Sequence, residues 1–448
     1  MNHYLYKQFY RNKAYIISLL ILLFAGLSSL YTGKKFLDRN EEIIAKSAMY
    51  QKNSIDKNVA LHSDDIGLLL YYVKFNLVNE MPKLAALNIG LRDLNPSIQG
   101  VTIRNLEEQR NNSDFFNPAN AAVGNFDFSF VLVFLFPLVI IAFCYNIISE
   151  DQEKGTWKLL SVQSQNLRKL IDVKLLIRLL SVSSIYFLLL MVAVFYIKIP
   201  VDWAFVIFAL SGLLYLIFWF ALCRWIIGYQ KSSSWNALAL IIFWMSMNFI
   251  IPMTGNMVIQ KVIPVKEGLQ AQIEQREGYH NKWDEAKIPT MQKFHTIYPQ
   301  FSQYTVAENS SYSYTWYYAM QHMADVESAA SSKQYHEKMQ KRNNAAIYLG
   351  YILPNIQTQM IQSKVAQTGM ENQLNYAEDL KNFHEKQRLY FYPYIFENVN
   401  GKVIDWTKQT VKTFIHSGNL NLLSVFLPYF IFIFLLLILS QNKFRKLC

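Results

Sequence analysis

The chain has 448 residues, a formal net charge of +11, and 52% hydrophobic, 15% aromatic but only 17% charged residues. A soluble multidomain enzyme would carry roughly a quarter charged residues, so an ordinary globular class is excluded. The three cysteines, Cys144, Cys223 and Cys448, form no C-x-x-C pair, which leaves no zinc or redox motif and no disulfide framework for the polar segments.

Charge-free runs occupy residues 14–33, 128–149, 179–197, 203–223, 232–260 and 417–442. Each is about as long as the roughly 20 residues that a helix needs to cross about 30 Å of hydrocarbon. One such run is compatible with a buried core helix. Six predict an all-α polytopic membrane protein, with spans at 14–33, 128–149, 179–197, 203–223, 232–256 and 417–442. The first run follows Lys7, Arg11 and Lys13, as in a signal peptide, but no convincing small-x-small cleavage site precedes Lys34. It is expected to stay as a span.

If both termini face the cytoplasm, the inside segments 1–13, 150–178, 224–231 and 443–448 hold 14 Lys and Arg against 4 Asp and Glu. The outside then holds 29 basic and 28 acidic residues, so the excess lies inside, as the positive-inside rule requires. The basic balance thus reports orientation in a membrane, and no nucleic-acid partner is implied.

Two long segments, 34–126 and 257–416, then lie outside, and both are expected to fold, largely as helices. KKFLDRNEEIIAKSAMYQKN is positioned to continue the first span as helix, and VKEGLQAQIEQREGYHNKWDEA and KQYHEKMQKRNNAAI are rich in helix formers. His280, His295, His322, His336 and His384 fall in the second segment without i, i+4 spacing, and are read as scattered histidines on solvated helices rather than a metal site. Tyr312, Tyr314, Trp316, Tyr317 and Tyr318 crowd together. They either line a surface for an amphipathic ligand or form an aromatic core near the headgroup level, the preferred alternative.

Inside the spans, Asn146, Ser246 and Asn248 each need a partner in hydrocarbon, so they either glue helices together or line a polar path. Pro137, midway along the second span, removes a backbone hydrogen bond and is expected to kink it. Asp127, at the outer mouth of that span, either meets substrate or caps the helix start, where the macrodipole favours a carboxylate.

Residues 150–178 form the one sizeable inside loop. After the acidic stretch SEDQEK, Gly155 precedes TWKLLSV, whose Trp157, Leu159 and Leu160 give it an apolar side too small for a core of its own; NLRKLIDVKLL follows and leads into the third span. Such a piece suits a groove on another protein, or is a solvated turn with its tryptophan on the headgroups. For nucleotide chemistry the nearest fragment is YTGKKFLD, which lacks the glycines of a phosphate-binding loop; no GxGxxG, GxSxG or HExxH is present.

The run NPANAAVGNFDFSFVLVFLFPLVIIAFCYNIISEDQEKGTWKLL (117–160) resembles the second span and following loop of ABC-2 type transporter permeases, with Glu150, Glu153, Gly155, Thr156, Leu159 and Leu160 at matching places. GLRDLNP (Gly90, Asp93, Pro96) and the stretch ILPNIQTQMIQSKVAQTGMENQLNYAEDLKNFHEKQRLYFYPYIF resemble elements of a bacterial branch with large extracytoplasmic insertions, the domain-of-unknown-function-3526 permeases. The resemblance implies that residues 150–178 hold a coupling helix that docks on an ATP-hydrolysing subunit through Glu150, Glu153, Gly155, Thr156, Trp157, Leu159 and Leu160. Trp157 departs from many relatives, which have a small or aliphatic residue there. It also implies that residues 1–13, with Tyr4, Lys7, Phe9, Tyr10 and Arg11, form an interfacial elbow helix, to which a basic and aromatic segment is suited.

By the same resemblance, the chain is a subunit in the inner membrane of a bacterium and no enzyme itself. It binds no cofactor of its own; ATP and Mg act in a dimer of ABC-type ATPase subunits, and a second permease, identical or paralogous, completes the assembly. The second and fifth spans would border a central path, with Asn146, Ser246 and Asn248 lining or bracing it. The expected activity is export of a hydrophobic or amphipathic cargo, peptide or lipid-like. The rival is mechanotransmission, in which ATP cycles move the outer domain against an extracytoplasmic protein and nothing crosses. A membrane-embedded enzyme lacks any cluster of nucleophiles or metal ligands in the sequence.

Overall fold

A computed structural model describes residues 2–110, 125–163, 166–310, 312–415 and 420–445. Six of its helices are long and apolar enough to cross a membrane: α2 (Lys13–His62), α5 (Phe128–Glu153), α7 (Leu167–Ile197), α8 (Trp203–Ile227), α9 (Ser233–Val262) and α15 (Leu422–Phe444). The protein is therefore a multi-pass membrane protein of the all-α class. Its spans form a bundle around α8, whose apolar window is 72% buried, whereas those of α2, α9 and α15 are 22% or less. Those three helices turn apolar faces outward, as lipid-facing helices do.

A short helix, α1 (Asn2–Arg11), precedes α2, and Asn12 caps α2 by accepting from the Ala14 amide at 3.0 Å. Helix α2 runs for 50 residues without a break. At 1.5 Å per residue it is about 75 Å long, more than twice the hydrocarbon thickness. KKFLDRNEEIIAKSAMYQKN is thus the continuation of the first span. Gly33 is needed where α2 passes the 3₁₀ turn Lys83–Ala86, because a Cβ there would fall 1.8 Å from the Ala86 carbonyl oxygen.

Beyond the bundle lies a large domain built from both long polar segments. Strand β1 (Phe75–Asn79) pairs antiparallel with β2 (Ile98–Val101), Phe75 opposite Val101, and parallel with β3 (Lys412–Phe414), Leu77 opposite Lys412. The remainder is helical: α3 (Ile66–Tyr72), α4 (Leu106–Arg110), α10 (Glu267–Asp284), α11 (Lys287–Ile297), α12 (Tyr314–Ile352), α13 (Pro354–Val365) and α14 (Met370–Phe396). Leu69, Phe75 and Val101 of the first segment share one core with Phe294, Trp316, Tyr318 and Tyr392 of the second. Two segments separated by four spans in sequence are thus one body in space.

The aromatic stretch contributes to a core, and one sequence expectation, that for the histidines, changes here. In the aromatic stretch, Trp316, Tyr317 and Tyr318 are buried in the domain core, where the Tyr318 hydroxyl donates to the Gly67 carbonyl at 2.8 Å. His322 and His384 do not sit on solvated faces: they are 3% and 1% exposed and pack in the same domain. Among the described residues no group of three His, Cys, Asp or Glu side chains is placed to hold a metal ion.

Candidate functional site

The loop between α5 and α7 carries the residues singled out in the sequence. After Glu153 the chain turns at Gly155, whose φ of +74° is a left-handed conformation, and then forms α6 (Trp157–Gln163). Helix α6 has no buried residue. Trp157 rests half-buried against the bundle, whereas Leu159 and Val162 are 59% and 86% exposed. Leu159 and Val162 thus form an exposed apolar surface that no other described residue covers fully.

The loop's acidic residues brace it. Glu153 accepts from the Ser233 amide at 2.7 Å and from the Ser233 hydroxyl at 2.9 Å, which ties the loop to the start of α9. Ser149 and Ser233 share a hydroxyl–hydroxyl bond of 2.7 Å. Asp151 pairs with Lys174 of α7 at 2.7 Å, and Thr156 donates to the Asp151 carbonyl at 3.2 Å. Glu150 pairs with Lys154 at 2.5 Å, but those side chains are 43% and 65% exposed. That pair is screened by solvent and stays within the loop, so Glu153 and Asp151 are the acidic residues that connect the loop to α9 and α7. Leu160 is half-buried on α6.

The polar residues inside the spans separate. Asn146 lies at the loop end of its span and donates to Glu150 at 2.9 Å. Ser246 and Asn248 lie in a π turn, Ser246–Ile250, within α9. A matching π turn, Val131–Leu135, lies in α5. Each is followed one residue later by a proline, Pro137 or Pro252, which lacks the amide proton of the next helical bond. The carbonyl of Val133, four residues before Pro137, accepts instead from the Tyr215 hydroxyl at 3.0 Å. In α9 the Met247 carbonyl accepts from Asn355 at 2.5 Å. The two turns touch: the Trp244 indole donates to the Phe134 carbonyl at 3.2 Å, and Phe134 lies 5.8 Å from Phe249. Pro137 therefore brings a π turn with an external hydrogen bond to α8.

What the sequence did not disclose about α13 is its bonding to the spans. Its Asn355 reaches α9, Gln357 donates to the Ser424 and Val425 carbonyls of α15 at 3.1 Å, and Thr358 meets the Tyr429 hydroxyl at 2.7 Å. Gln362 accepts from Ser129 of α5 at 2.7 Å. One short helix of the large domain is thus bonded to three spans. Asn355, Thr358 and Gln362 follow an i, i+3, i+7 spacing, a helical face of polar residues that was open to view in the sequence.

Between α13, the domain and the spans lies a cavity of about 850 Å³, lined by amides such as Asn88, Asn343 and Gln359, and by apolar Phe130, Phe134 and Met360. Asp127 borders it. It caps α5, accepting from the Phe130 and Ile89 amides at 2.8 Å each, and burial pushes its carboxyl up to about 6 against the effect of those bonds. Gly90 of GLRDLNP has φ +54°, and its neighbour Leu91 donates to the Thr368 carbonyl at 2.8 Å. Arg92, buried and unnoticed in sequence, ties this turn together with bonds to the Gln367, Asn79 and Glu80 carbonyls at 3.0 to 3.1 Å. Residues 117–124 of the resembling run, and Cys448, lie outside the described residues.

Fold and site define a multi-pass helical membrane protein with a braced loop at one end of its bundle and a large domain clamped to the other. Residues 268–414 match the family described as "Domain of unknown function (DUF3526)", the branch that the sequence resembles. No curated protein and no solved structure matches the chain.

Proposed function

We propose that the chain is the permease subunit of a bacterial ABC transporter, set in the cytoplasmic membrane with both termini inside, that exports a hydrophobic or amphipathic cargo, peptide or lipid-like. ATP and Mg act in a separate ATPase dimer, and a second permease chain completes the path. The observation that carries this is α6: a short helix with exposed Leu159 and Val162, held by Glu153 to one span and by Asp151 to another. A helix of that kind receives a partner's motion and passes it on.

Closure of the ATPase dimer would push α6, and the Glu153–Ser233 and Asp151–Lys174 bonds would carry the push to α9 and α7 together. The touching π turns of α5 and α9 are where these helices can bend, since each already lacks one helical bond. Helix α13 would carry that bending to the domain and to the amide-rich cavity, whose apolar and polar walls suit an amphipathic molecule. A second reading, mechanotransmission to an extracytoplasmic partner, is favoured by the unbroken 50-residue α2, which is suited to act as a rigid lever.

The test is co-purification of tagged protein from its native host under gentle extraction, with every accompanying chain identified. An ATP-binding chain is expected with the wild type and is expected to be lost with Leu159→Asp while the permease remains folded. Purification without any ATP-binding chain contradicts the proposal.

A further inference from the structure

A second cavity, of about 280 Å³, lies between α1, the start of α2, the loop and α7. It lies behind the exposed face of α6 and shares Glu150, Asp151 and Thr156 with the base of the loop. Its walls include Gln8 and Asn12 near the N-terminus, Tyr15 of α2, Lys174 and Arg178 of α7, and the loop's Glu150, Asp151 and Lys154.

Arg178 is the unusual member. Its residue is 8% exposed, yet among the described residues no carboxylate lies within ion-pair distance. Its Nε has no hydrogen-bond partner, Nη1 makes one long contact of 3.5 Å with the Lys174 carbonyl, and the guanidinium lies 5.8 Å from the Tyr15 ring. A buried charge without a counter-ion is costly, so a cation held in this way calls for an anion. The carboxylates that share the cavity are already engaged: Glu150 by Lys154 and Asn146, Asp151 by Lys174 and Thr156. Three cations therefore face two anions, and the guanidinium is the group left over.

Position supplies the class of ligand. Helix α1 packs on the end of the bundle by burying Phe9 and by bonding the Tyr10 hydroxyl to Ser181 of α7 at 2.9 Å, while Lys7, Gln8 and Arg11 stay exposed. A basic amphipathic helix joined directly to a membrane span lies at the level of the lipid headgroups. The planar fork of an arginine pairs bidentately with phosphate, the anionic group that phospholipids carry at that level.

We propose that this cavity is a phosphate site, in which Arg178 binds the phosphate group of an anionic phospholipid entering between α1 and α7. The bound headgroup would fix α1 and the root of the loop relative to α7, independently of any transport role. A soluble phosphate has the same chemistry, and the experiment separates the two sources.

Full-length protein is reconstituted in phosphatidylcholine vesicles, with or without phosphatidylglycerol, or with inorganic phosphate, and its thermal unfolding is followed. Phosphatidylglycerol is expected to raise the unfolding temperature of wild type and of Arg168→Gln, an equal change of charge outside the cavity. In Arg178→Gln the apparent affinity for phosphatidylglycerol is expected to fall at least about tenfold, the usual worth of a charge-assisted bond. A response to inorganic phosphate alone, with the same dependence on Arg178, supports the site and assigns it a soluble ligand. Equal losses in Arg168→Gln and Arg178→Gln, or no loss in either, overturn it. If Arg178→Gln does not fold, Gln8→Glu decides: it adds a negative charge at the cavity and removes no observed hydrogen bond. An unchanged response in that variant overturns the proposal.

Discussion

The carboxylate of Glu153 holds both polar groups of Ser233, eighty positions later, taking the amide at 2.7 Å and the hydroxyl at 2.9 Å. Four amides at a helix start have no helical partner, and this one is satisfied by the loop that precedes the third span. The start of α9 and the root of α6 therefore move as one. Spin labels at the exposed positions Val162 and Trp235 report their separation. Glu153→Ala is expected to broaden that distance distribution and Glu153→Gln to broaden it less, because one acceptor oxygen remains. An unchanged distribution in Glu153→Ala contradicts the brace.

Gly155 tests whether the turn is set by backbone conformation or by space. A Cβ at this position meets no atom within 4 Å, so Gly155→Ala meets no steric conflict. Its φ of +74° still costs an L-residue roughly 1–2 kcal/mol. If α6 docks the proposed ATPase, affinity for it is expected to fall by roughly tenfold in Gly155→Ala and by less in Gly155→Asn, since asparagine tolerates the left-handed region. Equal affinity in wild type and Gly155→Ala, measured on the purified complex, counts against a conformational role.

Tyr215 and Pro137 form a compensating pair. Tyr215→Phe leaves the buried Val133 carbonyl without its 3.0 Å bond, at an expected cost of about 1–3 kcal/mol. Pro137→Ala restores an amide proton in the helical position to bond that carbonyl. In the Pro137→Ala background the cost of Tyr215→Phe is expected to shrink by at least about 0.5 kcal/mol. Denaturant unfolding of the four proteins in detergent gives the cycle, and strict additivity would show that the two residues act separately.

His322 and His384 make the large domain sensitive to acid. Burial, and then the neighbouring Arg388, hold both imidazoles well below the ordinary histidine range. Arg388 donates to His322 Nδ1 at 3.3 Å and pairs with Asp325, and the Tyr392 hydroxyl lies 3.2 Å from the same His322 nitrogen, so protonating His322 would set one cation against another. Below about pH 6.5 the unfolded chain takes up protons that the folded chain refuses. Stability is therefore present above that pH and is lost as pH falls, by up to about 1.4 kcal/mol per pH unit for each histidine. His384→Gln is expected to flatten the fall in unfolding temperature between about pH 7 and pH 5.5, the range in which the linkage acts. A fall as steep as that of wild type would remove His384 as a cause.

The spans were legible because lipid excludes charge, and a run such as Phe128–Ser149 can serve little else. The loop was legible in part: Gly155 and the paired leucines marked a turn with an apolar side, while the bonds from Glu153 to Ser233 join positions that no local pattern relates. The parallel pairing of Leu77 with Lys412 was hidden for the same reason, since each strand is too short to announce itself. Arg92, Arg178 and His384 looked like ordinary polar residues, and only packing shows that they are buried. The π turns had a visible cue in Pro137 and Pro252, but their meeting through Trp244 and Phe134 required the bundle.

The most direct measurement places a photo-crosslinking amino acid at Val162 of α6 and, as a control, at Val403 of the large domain, both strongly exposed. Illumination in native membranes is expected to join Val162, but not Val403, to an ATP-binding protein. A Val162 adduct with lipid alone, or with a protein that binds no nucleotide, would contradict the assignment of α6 as the point where ATP hydrolysis meets the membrane.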